Sequence, residues 1–133
     1  MNSQAVPTDE HLRLLSLFHY LWAGCGIFGL AFIALHYSFM SSMMDPARMG
    51  GAGQPPPPEM MDMMRFMYVG FALYGITTMV LNVLAAMWIR ARTNWTFCMV
   101  VAGINCISIP LGTVLGVFTL VLLGKDAARA RFR

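Results

Sequence analysis

Between Arg92 and Lys125 the chain carries no Asp, Glu, Lys or Arg, and Pro110 stands near the middle of that run. Two further runs, residues 14–44 and 66–89, are equally free of charge. A helix needs roughly 20 apolar residues to cross a hydrocarbon core about 30 Å thick, and each run is longer than that. Hydrophobic residues make up 58% of the 133 and charged residues 11%. Most of the chain therefore lies inside the three runs, and a separate soluble domain has nowhere to fold. The sequence predicts an all-α integral membrane protein, one membrane domain over 1–133.

The basic residues decide how many crossings to expect. Arg13 stands before the first run, Arg90 and Arg92 follow the second, and Lys125, Arg129, Arg131 and Arg133 follow the third. Only Arg48 and Arg65 flank the segment between the first two runs, where Asp45, Glu59 and Asp62 outnumber them. Cytoplasmic loops carry the excess of Lys and Arg, which puts the N-terminus and the Arg90–Arg92 turn inside and the 41–64 segment outside. One long tilted crossing by residues 93–124 would carry the basic C-terminus outward. A turn at Pro110 and Gly112 returns it, and seven of the nine basic residues then share the cytoplasmic side. Each arm would hold about 17 to 19 residues, about 26 to 28 Å of helix, slightly short of the hydrocarbon thickness. Four transmembrane helices, at about 8–40, 58–91, 94–109 and 111–128, are favoured over three with the last long and kinked at Pro110. Arg90, Arg92, Lys125, Arg129, Arg131 and Pro110 carry that topology.

Local signals fit the same plan. Thr8 reads as an N-cap, with Asp9 and Glu10 in the first turn where the helix dipole favours them. Those acids, the length of the run and the lack of a small-x-small site make a poor signal peptide, so the first helix is expected to be retained. His19, Tyr20 and Trp22 fall near the inner interface, His36 and Tyr37 near the outer one. Segment 41–57 is an extracytoplasmic loop rich in Met, Pro and Gly, with Asp45-Pro46 starting a turn, a flexible Gly50-Gly51-Ala52-Gly53 and a stiff proline run from Pro55 to Pro58. Asn94 is an N-cap candidate for the third helix. Gly24, with Gly26 and Gly29, marks a packing face on the first helix, and Gly112-x-x-x-Gly116 has the spacing that lets membrane helices meet backbone to backbone.

His11-Leu-Arg-Leu-Leu-Ser-Leu-Phe-His-Tyr20 and the stretch from Thr96 to Leu123, with its Phe-Cys and Pro-x-Gly-Thr-x-x-Gly-Val-Phe-Thr elements, resemble a group of short uncharacterised bacterial inner-membrane proteins. The resemblance covers about 40 residues at the two ends. It implies a bacterial inner-membrane location and no assigned activity. It does not extend to the Met-rich loop.

Nine of the thirteen methionines lie between residues 40 and 67. Met60, Met63, Met64 and Met67 share a helix face, and thioethers are soft ligands for Cu(I). The plainer reading is apolar packing at a membrane surface, where flexible Met side chains fill irregular gaps. His19 and His36 are 17 residues apart on one helix, about 25 Å, so they cannot share a metal. Each is read as hydrogen-bonded or solvated. Asn82 and Asn105 are the amides inside apolar runs, and an unpaired amide in hydrocarbon costs several kcal/mol, so each needs a partner. Ser108, Thr113 or a facing carbonyl would serve Asn105. Cys25, Cys98 and Cys106 lie in apolar runs, odd in number and without CxxC spacing, so no disulfide or zinc site is expected.

No catalytic set, carboxylate pair or phosphate loop can be assembled. No cofactor and no nucleic-acid partner is expected. The tail from Lys125 to Arg133 reads as a basic flank that fixes orientation, or lies on anionic lipid or docks a protein. The function expected is a small non-enzymatic accessory or structural subunit of a larger or homo-oligomeric membrane assembly. The rivals are a small transporter or channel subunit, with Asn82, Asn105, Thr113 and Thr119 facing a path, and an outward-facing Cu(I)-binding protein.

Overall fold

The computed structural model describes residues 9–45, 47–48 and 56–132. The Thr8 cap, Pro46, Met49, the Gly50–Gly53 stretch, Pro55 and Arg133 lie outside them. Among the described residues the chain is all-helical: α1 Asp9–Met43, α2 Pro58–Ala91, α3 Trp95–Asn105, α4 Leu111–Leu123 and a short α5 Asp126–Arg129. Both α1 and α2 are long and apolar enough to cross a membrane. At 1.5 Å per residue, α3 and α4, with 11 and 13 residues, reach only about 17 and 20 Å. Two compact units divide the chain: residues 1–25 with 78–133, and residues 26–77.

In the first unit, α1 presents Leu12, Leu15, Ser16, His19 and Ala23 on one buried stripe, at the three- and four-residue spacing of a helix face. The opposing stripe of α2 is Asn82, Ala85, Ala86 and Ile89. The pairing is antiparallel, with Ser16 Oγ donating to the Ala86 carbonyl at 2.8 Å. Small residues at such a seam let two backbones approach closely. Leu12, Leu15, Ile89, Cys98 and Leu123 form the apolar core, with Trp88, Trp95 and Phe132 packed against it.

The third apolar run folds back on itself. Trp95 at the start of α3 donates from Nε1 to the carbonyl of Leu123 at the end of α4, at 2.8 Å. A Cβ on Gly116 would overlap the Ala102 carbonyl oxygen and lie 2.7 Å from Cys106 Sγ; one on Gly112 would lie 2.8 Å from the Asn105 carbonyl oxygen and 3.1 Å from Trp22. Glycine at both positions lets α4 lie directly on α3. Helix α3 stops at Asn105, short of the expected 109, because residues 106–110 make the turn. Its N–H groups are occupied: Cys106 bonds the Ala102 and Gly103 carbonyls, Ile107 bonds Ile104, Ser108 bonds Asn105 and Ile109 bonds Ile107. Pro110 has none to place. Thr113 Oγ1 closes the other side by donating to the Cys106 carbonyl at 2.8 Å.

Helix α2 ends in a Schellman arrangement, with Thr93 N–H bonded to the Trp88 carbonyl and Arg92 N–H to that of Ile89. Arg92 takes the left-handed position, φ 57°, that glycine usually fills. Asn94 precedes α3 at φ 51° and makes no side-chain cap bond. Its contribution is the left-handed backbone, which Asn tolerates better than most residues.

The second unit pairs the C-terminal half of α1 with the N-terminal half of α2. Leu30 lies against Gly75, where a Cβ would come within 3.2 Å of its Cδ2. His36 Nδ1 and the Tyr68 hydroxyl are hydrogen-bonded, and Tyr37 meets the Tyr68 ring edge-on at 5.2 Å. No described residue of this unit is buried.

Candidate functional site

The polar residues of the first unit converge on one closed cluster. His19 from α1, Asn82 from α2, Asn105 from α3 and Thr119 from α4 are all buried, three of them with no exposure at all and Asn82 with 1%. Asn82 and Asn105 face each other as a reciprocal amide pair: Asn82 Nδ2 donates to Asn105 Oδ1 at 3.0 Å and Asn105 Nδ2 to Asn82 Oδ1 at 2.8 Å. The second Nδ2 proton of Asn82 goes to the Thr78 carbonyl at 2.8 Å. Both donors of Asn82 are thus spent, so its oxygen accepts from His19 Nδ1–H at 2.8 Å.

That assignment leaves His19 Nε2 as the acceptor in the neutral ring. Its neighbour is Thr119 Oγ1 at 3.1 Å, whose single proton also has the Leu115 carbonyl within 2.7 Å. One hydroxyl proton therefore sits between two acceptors, and either choice keeps it bonded. No buried side-chain nitrogen or oxygen among the described residues lacks a partner. A polar network closed in this way in a low-dielectric core holds its members in a narrow range of geometries.

A second polar group closes the end of the unit. Asp9 at the start of α1 takes Arg92 at 2.6 Å and Arg131 at 2.5 Å. The Arg129 guanidinium lies 4.7 Å over the Trp95 ring, Ala128 is buried and Phe132 packs on the core. The tail is thus docked on its own bundle through residues 125–132, beyond the flank or lipid contact expected for it. Arg129 and Arg131, read from sequence as charges that fix the topology, also make contacts within the chain.

The other sequence candidates lie outside this cluster. Gly24, expected at a helix contact, faces open space. Thr113 spends its hydroxyl on the hairpin turn, and the side chain of Asn105 pairs with Asn82, a partner not among those expected for it. Met60, Met63 and Met67 are exposed on the first turns of α2 and Met64 is half-buried. Cys25, Cys98 and Cys106 are free thiols. Sequence reasoning placed His19 by depth, at an interface, and missed its role as the link between α1 and the amide pair. The available signal was its register with Leu12, Ser16 and Ala23, which puts it on the buried face.

The fold and cluster define an all-helical protein with two potential membrane-crossing helices and a hydrogen-bonded polar pin through four helices. No protein-family model, curated protein or solved structure matches the chain.

Proposed function

We propose that this chain is a multi-pass protein of a bacterial inner membrane, without chemistry of its own, that serves as an accessory or structural subunit of a larger or homo-oligomeric assembly. The observation that carries the reading is the 26–77 unit. None of its described residues is buried, while Phe28 is 79% exposed, Phe32 67%, Leu35 71% and Phe66 82%. In water such a pair of helices would aggregate; in a bilayer its apolar faces meet lipid or a neighbouring helix. The polar cluster supports the same reading. Asn82, Asn105 and Thr119, which a transport path would need, are engaged within the protein, the amides with each other and Thr119 with His19 and the Leu115 carbonyl.

Helices α1 and α2 are the two full spans of this reading, and α3 and α4 are paired half-spans. Their lengths of about 17 and 20 Å fall short of a hydrocarbon core of about 30 Å. The hairpin tip suits an apolar surrounding: Ile107, Ile109 and Leu111 are exposed and the turn's N–H groups are occupied. Irregular backbone at membrane depth needs such internal satisfaction. Four complete crossings and two plus a hairpin put the basic residues on the same side, with both termini cytoplasmic. Gentle native purification followed by mass spectrometry tests the assembly reading. A reproducible stoichiometric partner, or a defined homo-oligomer, is expected. A chain that runs as a lone monomer would sink it, and transport assays after reconstitution would follow.

A further inference from the structure

A cleft of about 350 Å³ opens in the first unit, lined by Glu10, Arg13, Leu14, Ser16, Leu17 and Tyr20 of α1 and by Arg90 of α2, with the Ser16 hydroxyl already spent on the Ala86 carbonyl. Small-molecule sites begin at about this size. Arg13 is the last charge before the 14–44 run and Arg90 the first after 66–89, so two different helices bring a cation to the same hydrocarbon boundary. Three other guanidinium groups of this unit are committed, Arg92 and Arg131 to Asp9 and Arg129 to Trp95. Glu10, Arg13 and Arg90 are exposed and have no ion-pair or hydrogen-bond partner among the described residues. Below them the wall becomes apolar, and Tyr20 lies about 10 Å further along α1 than Arg13. Glu10 lies one turn, about 4.5 Å, on the other side of Arg13, toward water.

We propose that this cleft binds one phospholipid of the surrounding leaflet, with its phosphate diester between Arg13 and Arg90 and an ammonium headgroup against Glu10. The order along α1 matches the order of groups in such a lipid: acyl chain on Leu14, Leu17 and Tyr20, phosphate at Arg13, amine at Glu10. Guanidinium groups are the side chains best suited to a phosphate, since each can give two parallel N–H bonds. A carboxylate beside a lone phosphate would repel it. Glu10 therefore selects a headgroup that carries a cation beyond its phosphate, and among common bilayer headgroups an ethanolamine supplies both that charge and N–H donors. The proposal rests on the membrane reading above.

The test is native mass spectrometry of the full chain released from nanodiscs made of equal parts of ethanolamine, glycerol and choline phospholipid. The wild type is expected to retain one ethanolamine lipid, enriched at least threefold over either of the others. Arg13→Gln with Arg90→Gln is expected to lower retention at least tenfold, since each basic residue near a membrane surface contributes about a factor of five in affinity. Arg13→Lys with Arg90→Lys keeps the charge and is expected to lose about threefold. Glu10→Gln should keep a lipid and lose the headgroup preference. Inorganic phosphate at millimolar concentration should not displace the lipid. Lipids retained in bilayer proportion, a glutamine double variant that holds as much as the wild type, a preference that survives Glu10→Gln, or displacement by free phosphate would each overturn the proposal. A chain that never enters the discs overturns the membrane reading and this site with it, whereas one that enters and releases every lipid overturns this site alone.

Discussion

The two units are built from the same two helices and differ in what their side chains meet. Residues 9–25 and 78–132 bury leucines, alanines and five hydrogen-bonded polar side chains, and add the α3–α4 hairpin and a docked tail. Residues 26–77 bury no described side chain, leave every Phe exposed, and rely on the Leu30–Gly75 contact and the His36–Tyr37–Tyr68 group. The difference shows that apolar composition does not produce a core. A core needs a third and fourth helix to enclose the seam, and only the first unit has them. Within a bilayer the apolar faces of the second unit gain nothing from leaving lipid, so packing and hydrogen bonds must hold its helices together.

The sharpest way to break this contrast is to add bulk on both sides. Gly116→Leu drives a side chain into the Ala102 backbone and Cys106, and is expected to destabilise the protein by about 3 kcal/mol in reversible unfolding in mixed micelles followed by circular dichroism. Gly29→Leu and Gly70→Leu, whose added atoms meet open space, should stay within about 0.5 kcal/mol in the same assay. Equal losses at the two kinds of site would abolish the distinction. If the second unit docks on a partner, Gly29→Leu should instead weaken co-purification while leaving the isolated chain stable.

A smaller effect is expected at the polar pin. Asn82→Leu strands the His19 Nδ1–H and one face of the Asn105 amide, at a cost of about 2 kcal/mol. The double replacement of Asn82 and Asn105 by Leu should cost less than the sum of the singles by about 1 kcal/mol. Strict additivity would mean that the pair contributes no mutual stabilisation. On the other unit, His36→Phe removes the bond to Tyr68 at an exposed position and should cost no more than about 1 kcal/mol. A loss as large as that at Asn82 would show a second pin where none is enclosed.

The least change is expected for Arg92→Gly. Glycine relieves a left-handed residue by about 1 kcal/mol, while the exposed bond to Asp9 contributes about 0 to 1 kcal/mol. The two offset, and the midpoint of unfolding should barely move. A clear loss would mean that Asp9, with Arg131 as its second partner, clamps the end of the bundle more firmly than an isolated surface pair.

Much of the helical plan was legible because it is written one residue at a time. Charge-free runs mark apolar helices, Pro110 with the small residues around it marks a reversal, and a buried amide implies a partner. Less could be read about identity of contact. Sequence offers Asn105 a choice of Ser108, Thr113 or a facing carbonyl, yet the amide it pairs with belongs to α2, 23 residues away in sequence. His19 was assigned by depth, while its environment depends on which way its helix face turns. The tail reads as basic in sequence, but Arg131 is held by a carboxylate 122 residues distant.

The amino-acid sequence by itself determined an all-helical chain with two long apolar helices, because hydropathy and charge act locally on every residue. Tertiary structure alone decided that four polar side chains from four helices would close on one another, that the last hairpin would stop at 11 and 13 residues, and that one unit would acquire a core and the other none. The physical reason is directional. Helix formation and hydropathy follow composition residue by residue, whereas a core needs other helices to enclose it and a hydrogen bond of about 3 Å needs two particular groups to face each other, and both exist only after the helices have packed.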